Sequence, residues 1–230
     1  MIDLHTHFLP GIDDGSKSVD ESVSMLVDAY KQGVTVCAGT SHVVLHGTQC
    51  IDSFLEKRDA AVTTLEKALA DKGAVVPKLL YGAEIFLDND ISEYAGLEKL
   101  CITNTNLLLV ELSTKSYIPD YSEWIYSLML KGIVPVIAHI ERYPYINELI
   151  NELDAVKVVY QTNAKTTMKS NWLKRILSLN YNERNVLVAS DMHNMRLRKS
   201  CMKKAYDKVC KHYGKDVADD LFENNAAKLI

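Results

Sequence analysis

Cysteine is scarce and unpatterned: Cys37, Cys50, Cys101, Cys201 and Cys210 are odd in number, scattered, and never in a Cys-x-x-Cys arrangement. That spacing speaks against a disulfide framework and a thiolate metal site, and the thiols read as buried or incidental in a reducing compartment. No apolar run is long enough to span a bilayer, and no basic segment with an apolar stretch precedes the first strand. A cytoplasmic protein with no stable membrane insertion is expected. Charge of one sign is lacking too. Lys and Arg number 26 against 30 Asp and Glu, a net of −4. This leaves no broad footprint for nucleic acid or an anionic membrane, although a small basic pocket can hide within such a balance. Repeats, low-complexity tracts, charge blocks and linker-like segments are also missing, so one domain over residues 1–230 is expected.

What is present is a strand-then-helix alternation from end to end. If residues 1–7 are extended, His5 and His7 leave one face while Leu4 and Thr6 leave the other. Pro10, Gly11 and Gly15 then turn the chain, and Asp13 and Asp14 put carboxylates into that turn. Ser18-x-x-Glu21 is a capping box that opens an amphipathic helix running to Gly33. Residues 34–39 form a second strand candidate leading to His42, and a long helical pattern over 51–73 precedes a third, 75–83, which delivers Glu84. The apolar run 107–112 suits a strand buried on both faces, yet it carries Glu111 at its end. Burying that carboxylate without a partner would cost several kcal/mol, so it should be paired or ligating.

A helix over 119–132 leads to a strand at 133–138 and His139. A sixth strand, 156–160, leads to Gln161 and Asn163, with a helix over 165–179 behind it. The seventh, 186–189, ends at Asp191 and His193. Helical stretches at 197–212 and 216–224 finish the chain. The alternation predicts an α/β fold with a parallel sheet. Six of the seven strands carry a candidate ligand at the C-terminal end. Closure into a TIM-like barrel follows, because an open sheet collects ligands mainly at its switch point.

The collected set is His5, His7, Asp14, His42, Glu84, Glu111, His139, Asp191 and His193. Five imidazoles and four carboxylates exceed what one ion can use, and carboxylates can bridge, so a cluster of two or three metals is expected. Mixed nitrogen and oxygen donors without sulfur fit Mn²⁺, Zn²⁺ or Fe better than Ca²⁺ or lone Mg²⁺. Such a cluster lowers the pKa of a bridging water towards ~7 and clamps the attacking and leaving oxygens of a displacement. Arg142 and Arg198 stand close enough in sequence to overhang it, with Arg196 competing for the second place. Guanidinium pairs point to a phosphate ester.

With these residues assembled, the chain resembles the PHP (polymerase and histidinol phosphatase) superfamily of trinuclear metal phosphoesterases. More closely, it is similar to the branch of bacterial manganese-dependent protein-tyrosine phosphatases that act on the tyrosine autokinases of capsule and exopolysaccharide synthesis. The motifs that carry this are Asp3-Leu-His5-Thr-His7-Phe-Leu-Pro-Gly-Ile-Asp-Asp14-Gly15, Thr40-x-His42, Gly82-Ala-Glu84, Glu111, His139-x-Glu-Arg142-Tyr143, Gln161-x-Asn163 and Ser190-Asp191-x-His193-Asn194. They follow in order over nearly the whole chain.

The resemblance implies a distorted seven-stranded (β/α) barrel and three divalent ions, manganese foremost, with iron or zinc as alternatives. It places one ion on His5, His7, Glu84 and Asp191, a second on Asp14, His42 and His193, and a third on Glu84, Glu111 and His139, with Glu84 bridging and Arg142 and Arg198 gripping phosphoryl oxygens. Two departures stand out: Ser41 and Ile140 occupy positions where the branch usually has proline, and neither removes a ligand. The expected reaction is hydrolysis of phosphotyrosine by a metal-bridging hydroxide, with a tyrosine autokinase as the partner. A small-molecule phosphomonoesterase such as a histidinol phosphatase is the alternative, and a non-catalytic kinase-binding regulator a further one. Tyr117, Tyr121, Tyr143 and Tyr145 are candidates for the pocket mouth.

Overall fold

The computed structural model describes residues 1–153, 158–178 and 185–230. Seven strands run in sequence order around one parallel sheet: β1 (Ile2–Thr6), β2 (Val36–Val44), β3 (Lys78–Phe86), β4 (Leu107–Glu111), β5 (Val134–Ile137), β6 (Val159–Asn163) and β7 (Val186–Ala189). The seam between first and last strand closes just beyond β7. Asp191 N–H donates to His5 O at 2.9 Å, His7 N–H donates to Met192 O at 2.9 Å, and Thr6 bridges Met192 in parallel. Ser190 N–H adds a bond of 2.9 Å to the buried Asp3 carboxylate. The sheet is therefore a nearly closed, distorted TIM-like barrel, as the count of ligand-bearing strands predicts.

Helices α1 (Val19–Lys31) and α2 (Gln49–Lys72) cover the first strands. Ser18 caps α1 by accepting Glu21 N–H at 3.2 Å, and the Glu21 carboxylate answers by accepting Lys17 N–H at 3.0 Å. Such caps contribute about 1 kcal/mol each. Gly73 ends α2 in the left-handed conformation, φ 56°, where a side chain would strain the backbone. α3 (Tyr121–Leu130), α4 (Ile146–Glu152), α5 (Ala164–Thr167), α6 (Ser170–Ser178) and α7 (Met202–Tyr213) follow, and α8 (Lys215–Asp219) passes through a π turn at Asp220–Asn224 into α9 (Asn225–Ala227).

Period-two alternation sorts the apolar side chains into two layers. A large outer layer packs the sheet against the helices, with Leu108, Val110, Val186 and Val188 among its strand members. A small inner set joins Leu4, Leu80, Leu109, Val136, Val159 and Leu187. On β3, β4 and β6, counting on in twos from the inner residues reaches Glu84, Glu111 and Gln161, so the inner set is the apolar floor beneath the polar end of the barrel.

Several local expectations change; the helical stretch expected from 197 begins only at Met202. His42 and Glu84 lie within β2 and β3 rather than past them, because those strands pair without interruption from Val36↔Lys78 to Val44↔Phe86. β6 likewise begins at Val159 and includes Gln161 and Asn163; the expected start at 156 falls outside the described residues. The expected helix 165–179 is two pieces, broken at Met168 and Lys169, and its last residue also falls outside the described residues.

Candidate metal centre

Glu84 stands in the middle of the polar end, fully buried. Parallel pairing sets it beside His42 on the neighbouring strand. Its Oε2 lies 3.1 Å from His5 Nε2, 3.2 Å from His7 Nε2 and 3.1 Å from His42 Nδ1, while Oε1 lies 3.0 Å from His139 Nε2. One carboxylate thus faces four imidazoles with both oxygens, the arrangement a bridging ligand requires. Burial opposes its charge, but His5 and hydrogen bonds from His139, His5 and His7 hold the carboxyl well below the usual range.

The other expected residues converge on the same spot. His193 Nε2 and His42 Nε2 lie 3.3 and 3.5 Å from Asp14 Oδ1. Glu111 Oε1 is 3.4 Å from His139 Nε2, and its Oε2 is 3.8 Å from His42 Nδ1. Asp191 Oδ1 is 3.6 Å from His5 Nε2 and 3.7 Å from His7 Nε2. Three subsets have donor atoms mutually close enough to share an ion: His5, His7 and Glu84; His7, Asp14, His42 and His193; and His42, Glu84 and Glu111.

The residues that aim the imidazoles are not among the nine expected ligands. His7 Nδ1–H donates to Asp13 Oδ2 at 2.8 Å, and Asp13 also accepts the N–H groups of His42 and Gly15. His5 Nδ1–H donates to Gln161 Oε1 at 3.0 Å, and the same oxygen accepts His139 N–H at 2.6 Å. Gln161 Nε2 continues to Asn163 Oδ1 at 2.8 Å, and Asn163 Nδ2 donates to Asp191 Oδ2 at 2.8 Å. His193 Nδ1–H is spent on the Asp191 carbonyl at 3.1 Å, and His139 Nδ1 lies 3.4 Å from the Tyr143 hydroxyl. Four of the five rings therefore turn Nδ1 outward and the Nε2 lone pair inward, as outer partners of metal-binding histidines do.

This donor set fits cations. Facing lone pairs on His5 Nε2 and His7 Nε2, 3.1 Å apart, repel unless a positive charge lies between them. His193 Nε2 is buried with no hydrogen-bond partner among the described residues. Burial disfavours a charged His7, yet the hydrogen bonds to Asp13 and Glu84 outweigh it and push that ring up to about 10. Burial and the neighbouring His7 push His193 down to about 3. His139 and Asp191 both hold left-handed backbone, φ 28° and 52°. Such conformations are costly for residues with side chains and cluster at functional sites.

Arg142, on the short 3₁₀ turn Ile140–Arg142 after β5, binds Asp191 Oδ2. Arg198 Nη2 binds both oxygens of Asp191, at 2.8 and 2.9 Å, and its Nη1 lies 3.5 Å from Asp14 Oδ2. Arg196 is exposed, its N–H on the Asn194 side chain. Arg198 is thus the arginine that the fold brings to the cluster. Of the four tyrosines, Tyr143 touches His139, whereas Tyr117, Tyr121 and Tyr145 pack as a ring cluster.

A parallel barrel with a histidine–carboxylate cluster at the C-terminal strand ends defines a metal-centre protein of the (β/α) barrel class. The capsular polysaccharide synthesis family CpsB/CapC matches residues 1–230, and the chain belongs to that family. It is 31% identical over 245 residues to the tyrosine-protein phosphatase CpsB of Streptococcus agalactiae serotype III (strain NEM316), covering 100% of this chain and 98% of that one. The tyrosine-protein phosphatase YwqE of Bacillus subtilis (strain 168) is 30% identical, covering 97% of this chain and 89% of its own. A crystal structure from work on YwqE of B. subtilis and CpsB of Streptococcus pneumoniae, described as unique metal-dependent tyrosine phosphatases, superposes with a TM-score of 0.79 at 27% identity, covering 100% of this chain and 94% of that chain.

Proposed function

We propose that this chain is a single-domain, metal-dependent protein-tyrosine phosphatase that acts on a phosphotyrosine-bearing protein, a bacterial tyrosine autokinase of capsule or exopolysaccharide synthesis. The observation that carries the reading is the Glu84-centred cluster with two guanidinium groups gathered on its Asp191 side. His5, His7, Glu84 and Asp191 would hold one ion, Asp14, His42 and His193 a second, and Glu84, Glu111 and His139 a third, with manganese preferred. When bound, such ions supply a water of lowered pKa and neutralise charge on phosphoryl oxygens.

The remaining work falls to the chain. Each guanidinium carries five N–H donors, and Asp191 engages Nη2 of each. The donors left over can grip equatorial phosphoryl oxygens through parallel charge-assisted bonds. Asp191 meanwhile fixes where the two arginines stand. The tyrosyl oxygen leaves as a phenolate of pKa ~10, so little help from a general acid is needed. The five free thiols and the lack of any described helix long and apolar enough to cross a membrane support action in the cytoplasm.

The test is steady-state hydrolysis of a phosphotyrosine peptide against histidinol phosphate by chelated enzyme reconstituted with Mn²⁺, with His42→Ala as control. Metal-dependent turnover of the peptide, lost in the variant, is expected. Preference for histidinol phosphate would keep the centre and overturn the substrate.

A further inference from the structure

On the Asp191 side of the cluster the surface holds two adjoining depressions. A cavity of about 250 Å³ has Arg142, Arg198, Lys165 and Lys199 in its wall. A wider one of about 730 Å³ is bounded by Lys169, Trp172, Arg175 and Lys208. Glu141 and Thr166 line both, so the two form one trough leading away from the cluster.

Among the described residues, seven cationic side chains line this trough against two carboxylates, Glu141 and Asp191, in a chain whose net charge is −4. Both carboxylates are already committed. Asp191 holds the two arginines, and Glu141 accepts Asn163 N–H at 3.0 Å and the Thr162 hydroxyl at 2.9 Å. No ion pair involves Lys165, Lys169, Lys199 or Lys208 among the described residues, so their charge is unanswered. The far end is tied by several contacts. Arg175 lies 5.2 Å over the Trp172 ring and donates to Asn147 Oδ1 at 2.6 Å, and Trp172 Nε1–H donates to Thr162 Oγ1 at 2.8 Å. A tethered aromatic and guanidinium flanked by unpaired ammonium groups suits an extended polypeptide carrying negative side chains.

We propose that this trough seats an acidic stretch of the substrate polypeptide, carboxylate or phosphate side chains flanking the phosphotyrosine, so that substrates are selected by the charge of their flanks. The proposal rests on the phosphatase reading above.

The test compares Mn²⁺-loaded wild type with a variant carrying Lys165→Gln, Lys169→Gln, Lys199→Gln and Lys208→Gln. Substrates are free phosphotyrosine and phosphotyrosine peptides with neutral, Asp/Glu or phosphoserine flanks. Wild type is expected to favour anionic flanks by about tenfold in kcat/KM, chiefly through KM. That preference should fade as salt rises from about 0.05 to about 0.5 M. The Asp/Glu and phosphoserine arms distinguish the two anion sources. The variant should lose the preference and hydrolyse free phosphotyrosine at the wild-type rate. Equal rates on neutral and anionic peptides, or a preference that survives in the variant, would overturn the trough.

If free phosphotyrosine is not hydrolysed at all, it is the phosphatase reading that fails. Anisotropy of a labelled acidic peptide lacking phosphotyrosine then still decides: binding lost in the variant supports the trough, and no binding overturns it. Tighter binding of a single-stranded oligonucleotide than of the acidic peptide would also overturn it.

Discussion

His5 Nε2 and His7 Nε2 face each other at 3.1 Å, each ring having given its Nδ1–H to another acceptor, Gln161 for one and Asp13 for the other. Metal-free, a proton on His7 eases that gap, and the hydrogen bonds to Asp13 and Glu84 that push the ring up to about 10 keep it there. A ligating imidazole must lose that proton. Near pH 7–8 metal binding should therefore release protons, and affinity should climb with pH towards 10. Calorimetry of Mn²⁺ binding in buffers of different ionisation enthalpy measures the release, and Asp13→Asn, which weakens the His7 proton, should reduce it.

Gln161 touches no proposed substrate atom, yet it orients His5, His139 and, through Asn163, Asp191. Gln161→Ala should weaken metal affinity by about 10–100-fold. Competition with a fluorescent chelator reads this directly, and Gln161→Glu, which keeps the acceptor oxygen, should recover part of the loss.

Arg142 and Arg198 share one carboxylate, so removing either leaves Asp191 with fewer counter-charges as well as a substrate with fewer donors. Arg142→Ala and Arg198→Ala should each lower kcat by about 10²–10³-fold. Lysine should restore little at either position, because a point charge cannot reproduce the planar fork. Arg196→Ala should leave kcat unchanged.

No thiol enters the cluster. Burial raises Cys37 well above its ordinary range and Cys101 to about 11, so neither is a reactive thiolate near neutral pH. Cys201 lines the smaller cavity. Alkylating it should hinder large peptides by bulk alone, and Cys201→Ser should keep full turnover and lose that sensitivity. A drop in turnover of the serine variant would implicate the sulfur.

The Asp13–Gly15 turn packs against the His7 backbone so closely that a Cβ at Gly15 would sit 2.2 Å from His7 O. Gly15→Ala should therefore displace His7, lowering Mn²⁺ affinity along with thermal stability. A full complement of bound metal in that variant would argue that the turn is more pliable than its packing indicates.

The nine candidate ligands were legible because imidazoles and carboxylates recur where apolar runs end. Elements were easier to place than their limits: β2 and β3 run on through His42 and Glu84, since ladder pairing with a neighbour outweighs local polarity. The register irregularity between Asp3 and Thr6, which lets Leu4 join the apolar floor while His5 and His7 both reach the cluster, has no signature in residues 1–7. Asp13 and Gln161 were visible but unassigned. A rule was available for them, because each ligating imidazole needs an acceptor for its other nitrogen. The basic trough was hidden by averaging, its lysines lying on separate elements of an acidic chain.

The barrel seam joins the first strand to residues 190–192, so His5 and His7 meet Asp191 and His193 only across almost the whole length of the chain. Contacts of such separation slow folding, because closing the long loop costs entropy before they form. During synthesis the amino-terminal histidines leave the ribosome long before their carboxyl-terminal counterparts exist, so a nascent chain cannot assemble the centre. The full set of ligands, with Asp191 and His193 in place, therefore comes together only after the chain has been made through residue 193.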